Sequence, residues 1–182
     1  MLPAMTAIRL RPWKPQTFMP VSAQVYSEIQ QFLIYEALLL DHGCIDRWAG
    51  ILSRDVTYKI CNCSGSDRIG LNAAESVDNS RESLLRRLCI SQTTGAEVRQ
   101  DLPMTRRFVT NISVSFAHCR NEYDVVSYLR VARIGHEGAA DSVWSAERRD
   151  LLRATDRSFA ISRRELLIDS IEAGIAGPTQ FL

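Results

Sequence analysis

The chain has 182 residues, 46% of them apolar, which is enough for one domain with a sizeable core and too many for general disorder. Its 22 Lys and Arg against 21 Asp and Glu leave a formal net charge of +1, so no overall field steers it toward nucleic acid or an anionic membrane. Nearly all the positive charge is arginine, with Lys14 and Lys59 the only lysines, and guanidinium groups suit planar contacts with carboxylates, so the composition leans toward protein contact. Cys44, Cys61, Cys63, Cys89 and Cys119 lack the dense spacing of a secreted disulfide scaffold. Met1-Leu2-Pro3-Ala4-Met5 does not open a signal peptide, and no apolar run approaches the ~20 residues that span a bilayer. A cytoplasmic chain is expected, in which Asn62-Cys63-Ser64 and Asn111-Ile112-Ser113 stay unglycosylated.

Pro3, Pro12, Pro15 and Pro20 defeat helix and central strand alike, so residues 1–21 read as an extended arm ahead of a domain covering 22–182. Trp13, Phe18 and Met19 give that arm something to pack, on its own domain or on a neighbour; otherwise it is a free tail. From Ser22, Val25, Ile29, Phe32, Leu33, Ala37 and Leu40 recur at three- and four-residue steps, which predicts a helix over 22–40 capped by Ser22 and stopped at His42-Gly43. Ile45, Trp48, Ala49 and Leu52 predict a second, shorter helix. A strand is expected over 56–60, a loop over 62–72 rich in Gly, Ser, Asn and Asp, and a third helix over 80–92, ended by Gly95.

After Thr105 the rhythm changes to period two. Phe108, Thr110, Ile112, Val114 and Phe116 alternate with Arg107, Val109, Asn111, Ser113 and Ser115, and similar segments cover 123–133, 142–152 and 158–169. Four long strands with short connections predict an antiparallel meander that curls strongly, and helices first with a sheet afterwards is the α+β pattern. Laying the helices into the concave face gives a cone. Arg130, Arg148, Arg149, Asp150, Arg163, Arg164 and Glu165 fall inside strands, where charges need water or partners. Arg148, Asp150, Arg164 and Glu165 are placed to form a charged lattice across neighbouring strands. The convex face is then either open to solvent or, with Trp144, Tyr128 and leucines among the arginines, buried against another subunit.

Self-contained chemistry is hard to assemble. His42, His118 and His136 show no metal-site spacing with a carboxylate, so no metal ligand is assigned. Cys61-Asn62-Cys63 has one residue too few for a CxxC centre, and Gly65 and Gly70 belong to no phosphate-binding loop, so no cofactor-binding residue is assigned. Glu36 alone invites an acid–base role, because it shares a side of the first helix with Ile29, Phe32 and Leu40. The competing reading is a structural carboxylate paired with an arginine.

Phe32-Leu33-Ile34-Tyr35-Glu36-Ala37-Leu38-Leu39-Leu40-Asp41, then Ile45-Asp46-Arg47-Trp48 and Asp55-Val56-Thr57-Tyr58, form the start of an ordered set. Asp78, Arg81, Leu84, Arg87, Leu88, Thr94-Gly95, Asp101, Pro103 and Thr105-Arg106-Arg107-Phe108-Val109-Thr110-Asn111-Ile112 continue it. Glu147-Arg148-Arg149-Asp150-Leu151-Leu152-Arg153, Arg163-Arg164-Glu165-Leu166-Leu167-Ile168-Asp169 and Phe181-Leu182 complete it. Over residues 22–182 this set resembles the small (β) subunits of Rieske-type aromatic-ring-hydroxylating dioxygenases. The sequence departs from that pattern at Lys59-Ile60-Cys61-Asn62, in the loop to Asp78 and at Gly95-Ala96-Glu97-Val98.

The resemblance implies a cystatin-like (NTF2-like) cone and a non-catalytic structural subunit, with no catalytic residue, cofactor or metal of its own. It further implies a large (α) oxygenase subunit as partner, in an α3β3 hexamer built on a β trimer. The large subunit would hold a [2Fe-2S] Rieske cluster and a mononuclear Fe(II). A reductase using NAD(P)H, and often a ferredoxin, would deliver the electrons that let O₂ hydroxylate an aromatic ring. Arg106, Arg107, Trp144, Arg148, Arg149, Arg163 and Arg164 are the expected interface residues. The rival readings are a stand-alone isomerase, dehydratase or hydrolase that uses Glu36, and a silent assembly domain.

Overall fold

The computed structural model describes residues 21–62, 75–86, 104–134 and 142–169. The expected arm over 1–20, Cys63 and Cys89, His136, the second half of the helix expected over 80–92 and the C-terminal residues after 169 lie outside the described residues.

Helix α1 covers Ala23–Asp41. The Ser22 hydroxyl accepts from the Val25 amide at 3.2 Å, which satisfies one of the donors left free at a helix start. At the far end Gly43 takes the left-handed conformation, φ 65°, so the Cys44 amide reaches back to the Leu39 carbonyl at 2.7 Å and the Gly43 amide to Leu40 at 3.2 Å. This pairing ends the helix one residue beyond the predicted stretch. Helix α2, Ile45–Gly50, is shorter than expected, because Leu52 already belongs to strand β1, Leu52–Asn62. A short helix over residues 81–86 buries Leu84.

The remaining strands are β2, Glu75–Ser80; β3, Met104–Phe116; β4, Glu122–Ile134; β5, Ser142–Ala154; and β6, Phe159–Ile168. The predicted meander is present as β3 to β6, each antiparallel to the next. Two strands extend it: β1 lies parallel to β6, and β2 pairs antiparallel with β1. The resulting six-stranded sheet runs β2-β1-β6-β5-β4-β3.

That order corrects the cystatin-like (NTF2-like) cone. The α+β class stands, but the sheet is open: among the described residues β2 and β3 are its two edges and no pairing closes it. Helix α1 lies across one face of it. There the Tyr26 hydroxyl donates to the Ile112 carbonyl at 3.3 Å, and the Asp41 carboxylate accepts the Arg107 amide at 3.0 Å. Both contacts occupy backbone groups of edge strand β3, which blunts it as a template for unwanted pairing.

A bulge in β3 overturns the uniform alternation read from the sequence. Thr110 pairs with Tyr128 and Ser113 with Val126, so Asn111 and Ile112 together face one residue of β4. Asn111 takes φ 51°, a left-handed conformation that asparagine tolerates better than most residues. Before the bulge Arg107 and Val109 face α1; after it Ile112 and Val114 do. Phe108 and Thr110, grouped by alternation with Val114, therefore point the other way and are exposed.

The core lies between α1 and the inward sheet face. Ile29, Phe32, Leu33 and Leu39 of α1 meet Leu52, Val56, Tyr58 and Ile60 of β1, Leu129 and Val131 of β4, Trp144 and Leu152 of β5, and Ile161, Leu166 and Ile168 of β6. Phe32 and Tyr123 both set their rings edge-on to Phe159, at 5.8 and 5.9 Å between centroids.

Candidate functional site

A charged cluster sits inside this apolar layer. Strand register makes Asp150 the direct neighbour of Arg164, and Ser127 the neighbour of Arg148, all on the inward face. Helix α1 then lays Glu36 over them. Arg164 Nε and Nη2 donate to the two Asp150 carboxylate oxygens at 2.7 and 2.9 Å. Its Nη1 and Nη2 also donate to Glu36, the second contact at 2.8 Å, so one guanidinium bridges two carboxylates. Arg148 donates from Nη1 to Glu36 Oε2 at 3.1 Å and from Nε to Ser127 Oγ at 3.0 Å, with Asp150 Oδ2 at 3.3 Å. Trp48 Nε1 adds a bond to Glu36 Oε1 at 3.2 Å, and the Tyr58 ring lies 5.7 Å from the Arg164 guanidinium carbon.

Two guanidinium groups against two carboxylates leave this cluster formally neutral, although all four side chains are buried. Burial by itself pushes the Glu36 carboxyl up. The charges of Arg164 and Arg148, with hydrogen bonds from Arg164 and Trp48, outweigh that and hold it at about 2. For Arg164 burial works against the charged form, but Asp150 and Glu36 raise its pKa well above the ordinary arginine value. Burial pushes the Tyr58 hydroxyl up as well.

This geometry bears on the two readings of Glu36. Each of its oxygens accepts two hydrogen bonds, from Trp48 and Arg164 on one side and from Arg148 and Arg164 on the other. No acceptor position remains for a substrate proton, and a carboxylate held near 2 is a weak base. Through these bonds Glu36 links α1 to β5 and β6.

The seven expected interface residues divide between the two faces of the sheet. Arg148, Arg164 and Trp144 point into the core. Arg107 faces α1, its Nη1 2.7 Å from Asp41 Oδ1, with both side chains largely buried. Arg106, Arg149 and Arg163 lie outward. The predicted lattice thus exists on the inward face, and Glu165 is turned away from it. Sequence reasoning missed Trp48, Ser127 and Tyr58 as members. One available signal was the even-numbered run Trp144, Ala146, Arg148, Asp150 and Leu152, whose apolar majority marks the buried face of β5.

Among the described residues no group of three or more His, Cys, Asp or Glu is placed to hold a metal. His42 and His118 are both exposed. Among the same residues no helix is long and apolar enough to cross a membrane.

The model of ring hydroxylating beta subunits matches residues 35–171. The chain belongs to that family. It is 28% identical over 159 residues to the benzene 1,2-dioxygenase subunit beta of Pseudomonas putida, covering 82% of this chain and 84% of the relative. Identity to the biphenyl 2,3-dioxygenase subunit beta of Rhodococcus jostii is 26% over 173 residues, covering 90% of this chain and 89% of the relative. The solved beta subunit of benzoate 1,2-dioxygenase from Burkholderia mallei superimposes with a TM-score of 0.67 at 16% identity, over 86% of this chain and 98% of that one, a likeness of fold. As a ring hydroxylating beta subunit, the chain is a non-catalytic component of a dioxygenase complex that also contains a catalytic large subunit.

Proposed function

We propose that this chain is the structural base on which a large oxygenase subunit is carried, in an α3β3 assembly resting on three copies of the beta subunit. The observation that supports this most directly is the state of Glu36. The one buried carboxylate that sequence singled out for acid–base work has every acceptor position engaged within the chain. Of the expected interface residues, Arg106, Arg149 and Arg163 are on the outward sheet face, where they mix with exposed aromatic and aliphatic groups. Of the expected interface residues, these three are the ones that meet a partner; Arg107, Trp144, Arg148 and Arg164 hold the scaffold behind them.

In that assembly the Rieske cluster and mononuclear iron belong to the large subunit, and supply the electron transfer and oxygen chemistry that hydroxylates an aromatic ring. A reductase drawing on NAD(P)H, with or without a ferredoxin, feeds that subunit. This chain binds no part of the substrate's reacting ring. Its contribution is a rigid sheet whose outer side chains are fixed in place by the charged cluster beneath.

Co-expression with a Rieske-type large subunit encoded beside it tests the proposal. The expected result is a mixed complex with the mass of a hexamer. It turns over an aromatic compound when reductase and NAD(P)H are added, whereas the isolated chain turns over none. Two monodisperse proteins that never associate would overturn it.

A further inference from the structure

Helix α1 buries one side and carries a second apolar stripe on the other. Ile29, Phe32, Leu33, Glu36, Ala37 and Leu39 are buried. Ile34, Tyr35 and Leu38 fall on the opposite side at three- and four-residue steps, and are 40%, 45% and 50% exposed. Nearer the helix start the same side is polar and exposed, at Gln24, Ser27, Glu28 and Gln31. The outer surface of α1 is thus divided along its length, and its apolar half is the later one.

The chain that leads into α1 carries a matching set. Pro12-Trp13-Lys14-Pro15 is a P-x-x-P stretch, the pattern of segments that take a polyproline II path and lay their rings on exposed aromatic side chains. Reach agrees with composition. Counted back from Ser22 at ~3.1 Å per residue, a polyproline II path brings Pro15 to ~22 Å and Trp13 to ~28 Å. Counted forward from Ser22 at ~1.5 Å per residue, Ile34 lies at ~18 Å and Leu38 at ~24 Å along the helix. A reversal at Pro20-Val21 therefore carries Pro15 and Trp13 past the polar half of α1 and onto its apolar half. Charge agrees too. The last turn of α1 holds no basic residue, and the same path delivers Arg11 and Lys14 to that end, where the helix dipole favours cations.

We propose that residues 12–20 fold back along α1 of the same chain, with Trp13 and Pro15 covering Ile34, Tyr35 and Leu38. An open apolar stripe invites unwanted association, and a strap from the same chain closes it with little further loss of freedom, because proline has already restricted the backbone. The seat is on the side of α1 away from the sheet, so it holds whatever partner meets the outward sheet face.

The test uses the full chain, alone and with its large subunit, and Trp13 is its probe. The chain has three tryptophans, and Trp48 and Trp144 are buried, so acrylamide quenching singles out Trp13 wherever its ring is open to water. The wild type is expected to resist quenching. Leu38→Lys and Tyr35→Ala should each raise it severalfold, and Phe108→Ala, on the outward sheet face, should leave it unchanged. Trp13→Ser, a change ahead of α1 that spares the core, reads the same contact from the other side: hydroxyl-radical labelling of Tyr35 should rise severalfold. Co-expressing the Leu38→Lys chain with an excess of Trp13→Phe chains separates a strap from an exchanged arm, because Trp13 stays quenchable only when its seat is in its own chain. A wild-type Trp13 as quenchable as free tryptophan, quenching unmoved by Leu38→Lys, or Tyr35 labelling unmoved by Trp13→Ser would each overturn the proposal. So would release by Phe108→Ala, which seats the arm on the sheet, and protection regained in the co-expressed mixture, which seats it on a neighbouring copy. Protection that arises only with the large subunit bound overturns it as well.

Discussion

Arg163 and Arg164 are adjacent in the chain, as are Arg148 and Arg149, yet each pair is split between the two faces of one sheet. Arg164 and Arg148 enter a buried cluster in which Glu36 and Asp150 match their charge. Arg163 and Arg149 face outward, where they pair with half-exposed Asp124 and Glu147. The same residue type thus serves two purposes, decided by strand parity. Inside, desolvation makes every unmatched charge expensive, so the arginines are locked by several bonds each. Outside, water screens the pairs, so each contributes little.

The contrast is sharpest at the inner arginine. Arg164→Met removes four hydrogen bonds and leaves Glu36 and Asp150 buried against a single cation, so denaturant unfolding should show a loss of about 3–5 kcal/mol. A loss below about 1 kcal/mol would mean that the cluster is not what fixes α1 to the sheet.

Acid should break the inner face next. The Glu36 carboxyl is held at about 2 against an ordinary value of 4.5, so its stabilising contribution is fully present above pH 4.5 and is lost as pH falls toward 2. Unfolding free energy measured through that window should fall by on the order of 3 kcal/mol from this group. A Glu36→Gln chain, less stable at neutral pH, should show a flatter curve across the same interval. Equal slopes for the two chains would remove Glu36 as the source.

The smallest effect belongs to the outer neighbour. Arg163→Ala breaks one long, half-exposed contact to Asp124, and thermal unfolding should move by less than about 0.5 kcal/mol. If it matched the Arg164 substitution, the division between the two faces would fail.

Much of this architecture was legible in the sequence. The apolar stripe, Ser22 and Gly43 place α1 within a residue of its observed end, and the period-two segments after Thr105 give the four meander strands. β2 and the parallel seat of β1 were not legible, because a six-residue polar strand carries no alternation and parallel pairing depends on a neighbour distant in sequence. The bulge at Asn111 was hidden as well. One left-handed residue inverts which side chains face inward, and no periodicity reveals where it falls.

By itself, the sequence determined the α+β composition, the family, and the pairing of Glu36 with arginine as one of two readings. These follow from local periodicity and from residue order, which survive without knowledge of contacts. Only the tertiary structure decided that the sheet stays open, that Trp144, Arg148 and Arg164 lie inside while Phe108, Tyr128 and Arg130 lie outside, and that Glu36 has no acceptor position left to use. The reason is physical: a strand's alternation assigns side chains to two faces, but only the helix that lands on one of them decides which face loses its water.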